Sequence, residues 1–177
     1  MQWTVDPTHS SIEFAVRHMG IATVRGTFGT FDVTPVLNEQ GVLIDVTATI
    51  DVRSLDTGVD QRDEHLRSAD FFDVAQFPEM TYRSTKVEHL GRERYRVSGD
   101  LTIKGVTHPV ALDVETSEQV KDPWGNQRIG AAITAKLNRT RWGLTWNQVL
   151  EAGSLLVGEE VKISMEMQVV APAEAGV

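Results

Sequence analysis

The stretch Val42–Arg53 constrains the fold more than any other part of the chain. Val42, Ile44, Val46, Ala48, Ile50 and Val52 alternate with Asp45, Thr47, Thr49 and Asp51, a period-two pattern that an extended strand with one buried face satisfies and a helix does not. A strand this long belongs in a large curved sheet. The same rhythm runs through Ser11–Met19, where Ile12, Phe14, Val16 and His18 share the inward parity, and through Met80–Glu88, Glu93–Ile103, His108–Glu118, Gln127–Leu137 and Glu160–Val170. In Ala22–Val33 the parity switches between Val24 and Phe28 on one side and Phe31 and Val33 on the other, which predicts a kink or bulge near Gly26 or Gly29, with Pro35 ending the strand. Leu90-Gly91, Lys104-Gly105 and Asp122-Pro123-Trp124-Gly125-Asn126 carry turn chemistry between these runs. About eight sequential antiparallel strands with short links can close on themselves, first against last, leaving no exposed edge. The predicted fold is all-β: an up-and-down antiparallel β-barrel of about eight strands.

One segment breaks the rhythm. Arg62–Pro78, RDEHLRSADFFDVAQFP, reads as a short helix followed by an aromatic loop, a lid over about 60–78 between the third and fourth strands. Asp60 is placed to cap the helix, Asp63 and Glu64 sit in its first turn, and Asp63 and Arg67 are spaced to pair on its surface. Phe71, Phe72 and Phe77 crowd the second half, either plugging one end of the barrel or lining its mouth. Barrels of this size are filled by their own side chains or hold one small ligand. Along Gln127–Leu137 the inward set is Ile129, Ala131, Ile133, Ala135 and Leu137, or else Gly130, Ala132 and Thr134, and either set includes small residues that leave room beside aromatic walls.

Composition narrows the roles such a barrel can take. A chain of 177 residues, 41% hydrophobic and 24% charged, is long enough for one well-buried core and short for two, so residues 1–177 are expected to form a single domain with a loose tail at 171–177. The net charge of −8, with 17 scattered Lys and Arg, argues against nucleic acid as a partner. Cysteine is absent, which removes disulfides and thiolate chemistry. The five histidines are spread along the chain without metal-ligand spacing, so no metal site and no catalytic residue is predicted. Neither a signal-like start nor an apolar run of membrane-spanning length is present, which predicts a cytoplasmic protein without stable membrane insertion, unless a signal has been removed.

Beyond periodicity, specific motifs match a known family. Trp3-Thr4-Val5-Asp6 with His9-Ser10, the run FAVRHMG from Phe14, and Gly26-Thr27-Phe28 are followed by Arg62-Asp63-Glu64-His65-Leu66, Asp70-Phe71-Phe72-Asp73 and Phe77-Pro78. Gly99 to Thr107 with Pro109-Val110, Asn138-Arg139, Trp142-Gly143-Leu144 and Val157-Gly158 through Val161 complete the series. In this order the motifs resemble the YceI-like polyisoprenoid-binding family across nearly the whole chain. The resemblance implies a lipocalin-like barrel whose elongated apolar pore takes up a long isoprenoid chain, a polyprenyl lipid or an isoprenoid quinone, with no cofactor required. Better-known members are exported, so the compartment is not carried over. Trp142 stands where the family commonly carries Phe, which is expected to narrow the pore.

The expected pore lining is Phe14, Val16, His18 and Phe28 from the first strands, Ile44 and Val46 from the third, and Leu66, Phe71, Phe72 and Phe77 from the lid. Tyr82, Ile133, Trp142, Leu144 and Trp146 complete it. Arg62 and His65 at the lid, and Arg139 at a strand end, are candidates for contact with a polar head group, although plain surface pairing or rim roles account for the same residues. The expected function is binding, storage or transport of a long-chain isoprenoid, with a homodimer as a possible assembly. The alternative is an enzyme acting on a lipid-like substrate through residues of the 62–67 segment, His65 or Asp63, or through His18.

Overall fold

A computed structural model describes residues 2–150, 153 and 155–173. In chain order the strands are β1 (Thr4–Val5), β2 (Ser11–His18), β3 (Ala22–Phe28), β4 (Phe31–Leu37), β5 (Leu43–Asp51) and β6 (Leu55–Asp56), followed by helix α1 (Asp60–Arg67). Then come β7 (Glu79–Gly91), β8 (Arg94–Ile103), β9 (Val106–Thr116), β10 (Val120–Lys121), β11 (Gln127–Asn138) and β12 (Val157–Ala171). Short 3-10 turns occupy Pro7–His9, Val52–Ser54 and Arg139–Trp142.

All strands belong to one antiparallel sheet in the order β4-β5-β7-β8-β9-β11-β12-β2-β3-β6, with β1 added to β12 and β10 to β11. The last long strand pairs with the first long strand, Ile163 opposite Phe14, as the up-and-down arrangement predicts. The strand path ends at β4 and β6, and only Gly29 and Thr30 separate β4 from β3, so the sheet curls back on itself. Among the described residues no ladder joins β4 to β3 or β6, and the expected closure without an edge is made by this corner and not by strand pairing. At one end of the barrel β1 pairs with β12 and lies against β4, and Trp3, Ile129 and Ala171 form a small second core with Leu37 and Val169. Ala171 is fully buried there, so β12 runs one residue into the stretch expected as a loose tail. Residues 174–177 of that stretch lie outside the described residues.

Where the strand pattern departs from the sequence expectation, the cause is local. Ala22–Val33 is two strands, giving nine long strands in place of about eight among the described residues. The parity switch is a corner at Gly29-Thr30, and β3 and β4 pair with different neighbours. Gly26 serves a different purpose: it lies opposite Phe14, whose ring occupies the space a Cβ would take. Pro35 does not end a strand but sits inside β4 opposite Val46; β4 terminates the path of paired strands, where a residue with no N–H is tolerated. The β7–β8 turn falls at Arg92-Glu93, two residues beyond Leu90-Gly91.

The helix is built from local charge and backbone bonding. Asp60 and Asp63 lie in its first turn and His65 and Arg67 in its last, matching the helix dipole. Asp60 is the first helical residue and not the cap, which is Val59. Buried Asp63 accepts hydrogen bonds from the Thr57 N–H at 2.9 Å and the Thr57 hydroxyl at 2.5 Å, fixing the turn that enters the helix. Arg67 donates to the carbonyls of Arg53 and Leu55, so the expected Asp63–Arg67 surface pair does not form. After Ser68 the chain folds back on the helix, with the Phe72 N–H on the Leu66 carbonyl and the Val74 N–H on the Arg67 carbonyl, both at 3.0 Å.

Candidate functional site: an apolar cavity with two polar ends

The barrel encloses a cavity of about 890 Å³. Its wall follows the pleat. Along β11 it is bordered by Ile129, Ala131, Ile133, Ala135 and Leu137, which resolves the parity left open by the sequence; Ala132 and Thr134 face outward and are exposed. Along β12, Val161, Ile163, Met165, Met167 and Val169 border the cavity while Glu160, Lys162, Ser164 and Glu166 point to solvent. From Ile129 to Arg139, ten residue steps of about 3.3 Å on a strand tilted by about 40° correspond to roughly 25 Å along the barrel axis. The middle of this length is lined by aliphatic and aromatic groups, among them Ile12, Val33, Leu101, Leu112 and Ile133.

Polar groups collect at the two ends. At the α1 end are Arg17, His18, Gln61, Arg62, His65 and Arg139. At the opposite end, where β7 turns into β8 and β9 leads to β10, are Gln40, His89, Arg92, Glu93, Glu118 and Gln119. His89 stacks on Tyr95 there, ring centroids 4.6 Å apart.

Most of the residues singled out from the sequence border this cavity, and three do not. Phe14, Val16 and His18 on β2 and Phe28 on β3 lie on its wall, as do Val46, Tyr82 and Ile133. From the lid, Leu66, Phe71 and Phe72 reach it, and Leu144 and Trp146 border it from the segment after β11. Ile44 does not: β5 bulges where Val36 faces Asp45 and Leu37 faces Leu43, so Ile44 is the extra residue, 52% exposed, and Leu43 takes its place on the wall. Phe77 packs against Gly105 of the β8–β9 turn, away from the cavity. Trp142 is fully buried but does not border the cavity either; its indole N–H donates to the Leu101 carbonyl at 2.9 Å and its ring meets His108 edge-to-face. The Trp at this position therefore does not narrow the pore.

The wall chemistry is suited to an apolar occupant. Phe14, Phe28 and Phe72 form a chain of aromatic contacts with centroids 5.2 and 6.2 Å apart. Tyr82 is buried, its hydroxyl donating to the Val110 carbonyl at 3.1 Å, and burial, with a smaller contribution from Asp100, pushes its pKa up to about 12. The phenol stays neutral and its ring presents as an apolar surface. Arg139 is a buried cation whose donors all go to backbone: Nε to Gly158, Nη1 to Leu144 and Trp146, and Nη2 to Val157. Burial lowers its pKa, and Glu159 partly offsets that. Its geometry is that of a staple holding the 144–146 segment and the start of β12 to the wall, in line with a strand-end charge satisfied by the rim.

His65 and Arg62 stand at the mouth. His65 Nε2 lies 2.9 Å from Asp70 Oδ2, and its ring packs edge-to-face on Trp146 at 4.6 Å and Phe71 at 5.2 Å. Its acidic neighbour is thus Asp70, and Asp63, the partner an acid–base site would need, is bonded to Thr57 instead. Arg62 donates to the Thr57 hydroxyl and carbonyl at 2.7 and 2.8 Å while bordering the cavity. Sequence reasoning missed the polar cluster at the far end and the β12 wall. The second was readable, since Val161, Ile163, Met165, Met167 and Val169 alternate with polar residues as cleanly as β5 does.

An antiparallel barrel with a lid and an elongated apolar lumen is a lipocalin-like architecture. The YceI-like domain model matches residues 3–169, and the chain belongs to that family. It is 39% identical to the UPF0312 protein SAB2563 of Staphylococcus aureus over 163 residues, covering 90% of this chain and 92% of that protein. Among solved structures it is similar to BcnA of Burkholderia cenocepacia, with a TM-score of 0.78, 22% identity and coverage of 93% and 98% of the two chains. It is also similar to a polyisoprenoid binding domain from Saccharophagus degradans implicated in plant cell wall breakdown, with a TM-score of 0.67, 19% identity and coverage of 97% and 99%.

Proposed function

We propose that this protein binds a long-chain isoprenoid lipid, a polyprenyl chain or the tail of an isoprenoid quinone, and stores or carries it with the tail inside the barrel. The observation that carries this reading is the apolar middle of the cavity with polar groups confined to its ends. Membership of the YceI-like family and the likeness to a polyisoprenoid binding domain support it. The tail lies along Phe14, Phe28, Phe72, Tyr82 and Ile133, and the head group rests at the α1 mouth near Arg62 and His65. Both the family and the lining favour binding over turnover.

Affinity in such a site is a sum of small terms. Each CH₂ group leaving water contributes ~0.8 kcal/mol, so a tail burying ~15 of them gains roughly 12 kcal/mol against an association cost of ~4–15 kcal/mol. Only a long tail leaves a surplus. Calorimetric titration with quinones that share a head group and differ in prenyl length tests this directly: affinity rises by roughly tenfold or more with each early isoprene unit. An affinity independent of tail length contradicts the reading.

A further inference from the structure

At the α1 end, two loops carry large apolar side chains into solvent. Ile21 is 79% exposed and Val149 69%, with Met19, Val59 and Leu155 also exposed. The loops hold each other. The Met19 N–H donates to the Leu156 carbonyl at 2.7 Å, the Leu156 N–H donates to the Gln148 carbonyl at 2.9 Å, and Val149 and Leu155 form a bridge. Met19 and Gly20 both take positive φ, 56° and 71°, a conformation unfavourable for Met, at the tip of the β2–β3 hairpin. Directly behind these residues His18, Val59, Leu156 and Val157 border the cavity. The apolar side chains of the rim thus adjoin the cavity wall beside Arg17, Gln61, Arg62 and His65 of the same mouth. At the opposite end Leu90, Val120 and Trp124 are exposed as well, on separate hairpins whose neighbouring residues at the cavity border are the polar and charged Arg92, Glu93, Glu118 and Gln119.

Contiguous exposed apolar residues mark a surface that is covered in use. Whatever covers this rim also faces the portal through which a water-insoluble chain must pass, and the medium in which such a chain resides is a bilayer. We propose that the α1 end docks on the surface of a lipid bilayer through Met19, Ile21, Val59, Val149 and Leu155, so that a prenyl tail moves between membrane and cavity without crossing water. This rests on the lipid-binding reading above. With a net charge of −8 the contact is apolar in origin and works on a neutral surface; anionic lipid weakens it.

Flotation of the full chain with phosphatidylcholine vesicles tests docking, with and without a long-chain quinone in the membrane. The probe variant is I21S/V149S, whose two positions do not border the cavity. The wild type is expected to float with plain vesicles, and the variant to lose at least tenfold in vesicle partition and in the rate of quinone transfer between vesicles. Its circular dichroism and its affinity for the same quinone presented in detergent are expected to be unchanged. Equal flotation of wild type and variant overturns the proposal, as does a wild type that stays with the aqueous fraction, the result expected if another protein covers the rim. Loss of quinone affinity in detergent for both forms instead overturns the lipid-binding reading, and flotation on plain vesicles reports on docking separately.

Discussion

Two aromatic residues of the cavity wall owe their positions to glycines across the ladder. A Cβ on Gly26 would lie 2.3 Å from the Phe14 ring and 2.9 Å from Thr57, and one on Gly99 would lie 2.5 Å from the Tyr82 ring. Each ring lies flat over a neighbouring strand because no side chain stands there. Gly26→Ala forces Phe14 against Phe28 and is predicted to destabilise the fold by about 1–3 kcal/mol, the usual cost of overpacking. Urea denaturation measures it; a variant as stable as the wild type would show that Phe14 has room to move. At this scale the sequence was informative wherever parity alone decided orientation, as for Phe14, Val46 and Ile133. It failed at Ile44, because one bulged residue moves a side chain to the other face, and at Phe77 and Trp142, whose contacts with Gly105, Leu101 and His108 are made by tertiary packing that no local pattern encodes.

Among the elements, the end of the barrel opposite α1 is secured by charge. Arg128 at the start of β11 donates to Asp6 and Asp122, each at 2.9 Å, and to Gln168 of β12 at 3.2 Å. Arg128, then Thr8 and His9, hold the Asp6 carboxyl well below the usual carboxylate range. Burial pushes Asp122 up, but hydrogen bonds from Arg128, Asn126 and the Trp124 N–H outweigh it and hold the group down to about 2. Groups whose folded pKa is depressed stabilise the fold above their unfolded value of ~3.9 and lose that contribution as pH falls through the folded value. Stability is therefore predicted to fall between about pH 4 and pH 2. Arg128→Met should be less stable at pH 7 and show a shallower decline over that window, read by thermal melts across pH; an unchanged acid profile contradicts this. The turn Asp122–Asn126 was legible from its Asp-Pro and Gly, whereas its tie to Asp6, 116 residues away in the chain, was not. The lid was legible as a helix and an aromatic loop. Its internal bonding was not, because Asp63 and Arg67 find backbone and Thr57 partners outside the helix.

Over the whole molecule, the curled sheet of antiparallel strands was readable because each long strand carries its own alternation and each link its own turn chemistry. The corner at Gly29-Thr30 was not readable as a strand break, since a bulge and a corner switch parity alike. The apolar lumen follows from this curl: inward residues meet across a barrel too wide for them to fill, with Ala131 and Ala135 on one wall and Phe14 and Tyr82 on others. A lumen of this kind that has evolved for a tail should carry one away from its source. The most direct test is extraction of protein purified without detergent into organic solvent, followed by mass spectrometry, with challenge of the extracted protein by added long-chain quinones. The expected result is a co-purifying prenyl lipid in near-stoichiometric amount, or saturable uptake of the added quinone. A clean extract together with no uptake would contradict the proposed function.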